Sequence, residues 1–512
     1  MNPRAATIAA LLPAVLALFL GAHQLTLHGV LHGVVFTTEA PNIGSAIALT
    51  RGALPYSNFP LAQPPGMTIV MLPFAWLSHF TSAGVAIAAA RIATAVATVV
   101  AVFLAGYLAR PYGIPASMLA GVFTATYGLE FLSTAALTVG PWILLFTFLG
   151  ISFAFRDGEV SAGPRMLFSG LLLGFACTIK PWAVIPAIVV VGCAVVAWQD
   201  KRERLLPAVG GILLGVVVPC LIFFLASPTQ FWRDVVLTEL PGHGSTSVGL
   251  KLADVLGLTG AAGIHHPAGL ATSIALVVGI AIVIVALGGA ASSSSYDWFV
   301  TITSVAVLLA VLLPGSMSIS YGEFALPFVA IAVSMTVGRL VALLAASWSG
   351  KGTDPRSSIA SALALLMAGC AVVVASVAAP RDGQYAATYA NQHAILASQP
   401  LESTIPSGAC AIADNPMLLI VAGLFSANGS TCPVVVDPAG ILAIAKAIPR
   451  SKSAASQWQS WLGISRYLVV TIPPANIPLA GRLGKYVGAH FALAAHRSQI
   501  NVYVATVGSS SG

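Results

Sequence analysis

Long apolar runs succeed one another along this chain and constrain its fold more than any other feature. A helix needs about 20 apolar residues to cross a bilayer. On that basis the sequence predicts eleven spans, at 6–27, 84–107, 114–131, 138–155, 166–179, 181–198, 206–226, 268–288, 298–314, 322–346 and 357–379. Of the 512 residues, 57% are hydrophobic and 8% charged, whereas soluble domains carry about 25% charge. A soluble globular fold is excluded, and the lipid bilayer is the expected surrounding. The net charge of +7 comes from basic residues in short loops between apolar runs. Such a distribution orients membrane segments and is no sign of a nucleic-acid partner.

The first run, Ala6 to Leu20, follows Arg4 and lacks a convincing small-x-small cleavage site, so it reads as an uncleaved helix. Arg4, Arg110, Arg156 with Arg165, Lys201-Arg202-Arg204, and Lys351 with Arg356 all fall on one side if the N-terminus is cytoplasmic. That choice puts 28–83, 227–267 and the tail 380–512 outside. Within the first outer segment, Met67–Phe80 is too short to span and follows Gln63-Pro64-Pro65-Gly66, so an interfacial or re-entrant helix is expected.

The tail turns mixed polar, with short runs such as CPVVVD and RYLVVTI, and predicts a small extracytoplasmic α/β domain. The expected division is a helical membrane domain at 1–379 and this soluble domain at 380–512. Four cysteines (Cys177, Cys193, Cys220, Cys370) lie in apolar spans, where they read as small hydrophobes. Cys410 and Cys432 are alone in the tail and predict a disulfide, which needs an oxidising compartment.

Two basic side chains, Arg91 and Lys180, interrupt long apolar stretches. A charge at the bilayer centre costs roughly 2.5 kcal/mol or more, so it faces protein or water and commonly has a task. The topology places Lys180, in GFACTIKPW, at the outer mouth of a helix, where it could meet a phosphate. Six acids, Glu39, Glu130, Asp234, Glu239, Asp254 and Glu323, map to the same face, with Arg51, Arg233, Lys251 and His243 in the outer loops. Plainer readings stand beside these. Glu39 could be a solvated loop acid, Lys180 could snorkel, Arg91 could pair structurally with Glu130 or Glu39, and Glu323 could complement a helix dipole. His265-His266 has no third ligand at useful spacing, so no metal site is expected.

The order of features is Glu39, then Gly52-Ala-Leu-Pro55-Tyr56, then Pro64-Pro65-Gly66 with its helix, then AAARIATAV around Arg91, then GLLLGFACTIKPW. It resembles the GT-C superfamily of membrane glycosyltransferases over residues 1 to about 345. The resemblance lies nearest to bacterial polyprenyl-phosphate-sugar-dependent enzymes related to protein O-mannosyltransferases and to aminoarabinose and arabinofuranosyl transferases. The ADNP…DPAG tail looks like that of actinobacterial members.

The resemblance implies transfer of a mannose- or arabinose-type sugar from a polyprenyl phosphate to a glycan, lipid or protein acceptor on the outer face of a bacterial cytoplasmic membrane. Glu39 is the expected base, standing where the family usually has Asp, and Lys180 and Arg91 are the expected phosphate clamp. Tyr56, Glu130, Arg233, His243, Tyr321 and Glu323 are candidate substrate-binding residues. The region Leu137–Pro141 lacks the acid many members carry there. No cofactor is required outright, and a divalent cation stays open. The competing readings are a transporter of lipid-linked glycans, which should show internal repeats and helices broken at the midplane, and a non-catalytic scaffold.

Overall fold

The computed structural model describes residues 3–27, 29–126, 136–197, 201–238, 248–255, 276, 278–283, 285, 294–312, 319–348, 401–426, 432–447, 453–474, 476–497 and 499–506. Most expected spans appear as helices: Leu11–Thr26, Ala83–Ala109, Ile114–Thr126, Gly140–Ala154, Gly163–Ile179, Val184–Val196, Lys201–Ala226, Ser295–Leu312 and Ile319–Trp348. Five helical stretches among the described residues are long and apolar enough to cross a membrane: Arg4–Thr26, Ala83–Tyr112, Arg202–Ala226, Ser295–Leu312 and Tyr321–Ala342. The predicted span 357–379 lies outside the described residues, and 268–288 is described only in part.

Ala83–Ala109 shows why such a segment spans. Its 27 residues give about 40 Å at 1.5 Å per residue, against a hydrocarbon core of about 30 Å. Ser82 starts it by accepting a hydrogen bond from Val85 N at 3.3 Å. The Pro64-Pro65-Gly66 turn leads into a 12-residue helix, Gly66–Leu77.

Small residues set the packing of the helices Gly163–Ile179 and Lys201–Ala226. A Cβ at Gly170 or Gly174 would collide with the backbone of Ala208 or Ile212, and one at Gly211 or Gly215 with that of Leu167 or Leu171. Two small-xxx-small pairs therefore let the backbones touch, the main means of close helix association in lipid. Lys201–Ala226 also leaves Leu214, Val218, Ile222 and Leu225 exposed, as a lipid-facing surface requires. Gly174→Val should cost about 1–3 kcal/mol through overpacking, read as a lower unfolding temperature in detergent. A native-like midpoint would show that the helices can part without penalty.

In the C-terminal residues four strands form one sheet in the order β3-β4-β6-β5, with β3 Ala411–Ala413, β4 Tyr467–Thr471, β5 Phe491–Arg497 and β6 Ile500–Ala505. β3 runs parallel to β4, and β6 is antiparallel to both neighbours. (β1 Phe155–Arg156 and β2 Glu159–Val160 are a two-residue ladder between helices.) The two Pro-containing motifs of the tail are helix starts. Asn415 caps Pro416–Val421 by accepting from Met417 N at 3.3 Å. Asp437 caps Pro438–Ala447 by accepting from Gly440 N at 2.8 Å. Proline just inside a cap is favoured because its missing N–H would be unpaired there anyway. Cys410 and Cys432 are joined by a disulfide with Cα atoms 5.3 Å apart.

The tail packs on the membrane part. Gly44 of the helix Ala40–Thr50 lies against Ile420 and Val436, so that a Cβ there would be 3.0 Å from Ile420. Ala62 N donates to Asp437 Oδ2 at 2.9 Å. One apolar core runs from Ile43 and Ile47 through Met67 and Ile87 to Leu418, Ile420 and Val436.

Candidate functional site

Glu39 sits in the short turn Thr37–Glu39 ahead of the helix Ala40–Thr50 and is fully buried. Its Oε2 accepts from Val35 N at 3.2 Å and Phe36 N at 3.1 Å, and its Oε1 accepts from Leu137 N at 2.8 Å. Arg91, also fully buried, donates from Nη2 to Oε2 at 2.8 Å and from Nε to Oε1 at 3.1 Å, and its Nη1 donates to Val30 O. Every lone-pair direction of this carboxylate is occupied and no solvent reaches it. A general base needs an open lone pair within reach of the proton it takes, and this geometry gives Glu39 none. It also turns Arg91 away from any phosphate. The geometry fits the structural pairing of Arg91 with Glu39 considered as the plainer reading.

A chain of contacts runs from this lock to the helix end that carries Lys180. Asn42, one turn after Glu39, donates to Leu137 O and accepts from Gln63 Nε2 at 2.9 Å. Gln63 opens the Pro64-Pro65-Gly66 turn. Gly66 presses on the end of the helix Gly163–Ile179, and a Cβ there would lie 2.5 Å from the Thr178 carbonyl, so only glycine permits the approach. Lys180 follows two residues later, half-buried, in extended conformation at the end of that helix. Its ammonium lies 5.3 Å from the centre of the Trp182 ring, and Trp182 packs on Tyr321 with centroids 4.3 Å apart.

Tyr56 takes a left-handed conformation at φ 66°. It is buried against Phe231 at 5.0 Å and donates from its hydroxyl to Gln63 O. It braces the loop from inside, so its buried side chain does not present itself to a substrate as its candidate substrate-binding role would need. Arg233 donates from Nε to Asp234 Oδ1 at 3.0 Å, with Asp234 buried and Arg233 partly open. Glu323 is fully buried, and among the described residues its carboxylate has no well-formed hydrogen bond, with the Gly140 backbone nearest to it. It occupies the space over Gly140, where any side chain would collide with it. Glu130 and His243 lie outside the described residues.

Sequence reasoning left Asp437 in a separate tail, yet the structure brings it to the loop that leads into Gln63. It bonds Ala62, one residue before Gln63. Burial raises its proton affinity above the usual carboxylate range, while the bonds from Ala62 and Gly440 and the charge of Lys180 pull it part of the way back. Burial also raises the proton affinity of Asp234, opposed by Arg233. The Asp-Pro pair signals a helix cap in sequence, but nothing in it reports Ala62.

Sequence reasoning also passed over Arg339, a third basic residue within an apolar span. It pairs with buried Asp297 at 2.6 Å, so Asp297 is its structural partner. Among the described residues no three His, Cys, Asp or Glu side chains gather to hold a metal ion.

Residues 63–314, just under half of the chain, match the sequence model of Glycosyltransferase family 87. No curated protein matches in sequence. The chain is similar in fold to ArnT from Cupriavidus metallidurans bound to undecaprenyl phosphate, with TM-score 0.60, 14% identity and 98% of each chain covered. The same enzyme in the apo state gives TM-score 0.61 at 13% identity over 99% of this chain and 100% of that one. The archaeal oligosaccharyltransferase AglB from Archaeoglobus fulgidus, in complex with an inhibitory peptide and a dolichol-phosphate, gives TM-score 0.52 at 13% identity over 90% of this chain and 69% of that one. A glycosyltransferase family match over residues 63–314 and a fold similar to that of ArnT together support a GT-C superfamily membrane glycosyltransferase.

Proposed function

We propose that this protein transfers a sugar from a polyprenyl-phosphate donor to an acceptor hydroxyl outside the bacterial cytoplasmic membrane, with the donor phosphate at Lys180. The observation that carries this reading is Lys180 beside the packed rings of Trp182 and Tyr321, with its charge felt at Asp437 of the tail. A cation beside aromatic faces suits a phosphate next to a sugar ring and an apolar lipid chain. The lipid phosphates in the ArnT and AglB structures support the donor class. The loop cations put the N-terminus inside, and the disulfide fits a tail in an oxidising compartment.

In this reading Asp437, whose two oxygens each accept one backbone bond and keep a second lone pair, is the base rather than Glu39, whose lone pairs are all taken. The acceptor hydroxyl gives its proton to Asp437, and its oxygen forms a bond to the anomeric carbon. The bond from that carbon to the phosphate oxygen breaks, and the phosphate leaves with the electron pair, stabilised by Lys180. A single displacement of this kind inverts the anomeric centre. Glu39 and Arg91 hold the first loop and the Leu137 turn in place. The sugar is of mannose or arabinose type, by the family resemblance.

The test is transfer of labelled sugar from polyprenyl-phosphate donors in membranes containing the full chain. Asp437→Asn should lower kcat by about 10²–10⁴-fold, the usual share of a general base, with undecaprenyl-phosphate binding kept. Because burial raises the proton affinity of Asp437, native activity should rise with pH through a half-point above the usual aspartate value of about 4. An unchanged rate and profile in Asp437→Asn would remove Asp437 from the chemistry. Binding without transfer from any donor would make the chain a lipid-phosphate scaffold.

A further inference from the structure

A second concave site lies on the tail side of Asp437. It is a cleft of about 160 Å³ lined by Pro60, Gln230, Arg233, Ile441, Ile444 and Gln457, with Ala445 beside them. Three units meet there: the loop that holds Tyr56, the Pro228–Leu237 segment, and the tail helices Pro438–Ala447 and Ala454–Leu462. Gln230 Oε1 is buried and, among the described residues, has no hydrogen-bond partner, so a ligand reaches it only when the side chain turns into the cleft. A buried carbonyl oxygen left unbonded is uncommon and calls for a ligand, a water or a strain explanation. Arg233 uses Nε for Asp234, which leaves its Nη groups for something in the cleft. Its walls also include two buried isoleucines.

The charges decide the kind of ligand. Asp234 lies 3.0 Å from Arg233 and balances it, so an anionic ligand would gain little there. Carboxamide and guanidinium groups alternating with flat apolar faces suit a neutral ring bearing hydroxyls, which gives and accepts hydrogen bonds at its edge and packs its carbon face. The volume is below the roughly 300–1,000 Å³ of drug-sized pockets, which favours one ring over an extended chain.

Position gives the ligand its part. Asp437 caps the very helix whose Ile441 and Ile444 wall the cleft, and it bonds Ala62, two residues from Pro60. The cleft therefore adjoins the proposed base through that helix and that loop. Beyond the cleft, Phe224, Leu225 and Trp232 are exposed, so an apolar rim lies beside it. We propose that this cleft is the acceptor subsite and takes a neutral sugar ring, presented by a free glycan or by a glycolipid headgroup. The proposal rests on the transferase reading above for its catalytic meaning, but its binding chemistry does not depend on turnover.

The experiment measures binding of neutral manno- and arabino-oligosaccharides, free and lipid-linked, to the purified full chain in detergent. An acidic oligosaccharide and a peptide serve as comparators. Gln457→Ala and Gln230→Ala should each weaken neutral-oligosaccharide binding about three- to tenfold, the loss of one neutral hydrogen bond. Undecaprenyl-phosphate affinity and the unfolding temperature should stay native. Gln457→Glu, on a partly exposed helix position, guards against loss through misfolding and should weaken binding likewise. Stronger binding of the lipid-linked probe would assign the acceptor to a glycolipid, and equal binding to a free glycan. Preference for the acidic probe or the peptide, no oligosaccharide binding, or binding that ignores all three substitutions would overturn the proposal. Loss of undecaprenyl-phosphate binding in Lys180→Ala reports on the donor reading alone, so the two fail separately.

Discussion

Glu39→Gln is expected to lower the stability of the folded protein by about 3–5 kcal/mol, the typical result of breaking one side of a buried ion pair. The substitution leaves the Arg91 guanidinium charged and fully buried with half its partners gone. It also weakens acceptance from Val35, Phe36 and Leu137, because an amide offers one acceptor oxygen where the carboxylate offers two. Arg91→Met should cost a similar amount by stranding the carboxylate. Replacing both residues by apolar groups of similar size should cost less than the sum of the two, since the stranded charge is what makes each single change expensive. Unfolding in detergent, followed by the loss of the tail–membrane contact, measures all three. If Glu39→Gln left stability native and abolished only turnover, Glu39 would be the base and the assignment to Asp437 would fall.

The membrane spans were readable because lipid imposes a simple rule on composition. Ala83–Ala109 and Lys201–Ala226 are apolar on nearly every face, and no tertiary contact is needed to place them. The close packing at Gly170/Gly174 and Gly211/Gly215 was not read from the sequence, because a single sequence does not say which helix receives which. The Glu39–Arg91 pair was readable only as one option, because burial decides between a base and a lock. Composition does not report the depth of a residue in a short outer loop. Asp437 was least readable. Its contact with Ala62 joins positions 375 residues apart, and its local signals, a proline after it and a glycine three residues on, describe only the helix it caps. Arg339 escaped notice because its apolar neighbours mask it, although a charge there demands a partner, which is Asp297.

Lys180 carries the other large effect. Lys180→Ala should reduce donor affinity by about 10- to 100-fold, the loss of a hydrogen bond to a charged group. It should lower kcat further, because charge on the departing phosphate grows in the transition state. Lys180→Arg should keep part of both, since the charge survives while the fork geometry replaces a compact ammonium. Rising salt should weaken donor binding, though less than for an exposed contact, because a half-buried group is screened less. The same substitution should also shift the Asp437 profile upward, because the cation that favours its charged form is gone.

The most direct measurement is binding of undecaprenyl phosphate to the purified full chain, native against Lys180→Gln, with folding checked by the unfolding temperature. A lipid-phosphate transferase built around Lys180 predicts binding by the native chain and loss of about tenfold or more in the variant at unchanged stability. Equal binding by the two proteins would mean that Lys180 only reaches for the membrane surface, and would contradict the account.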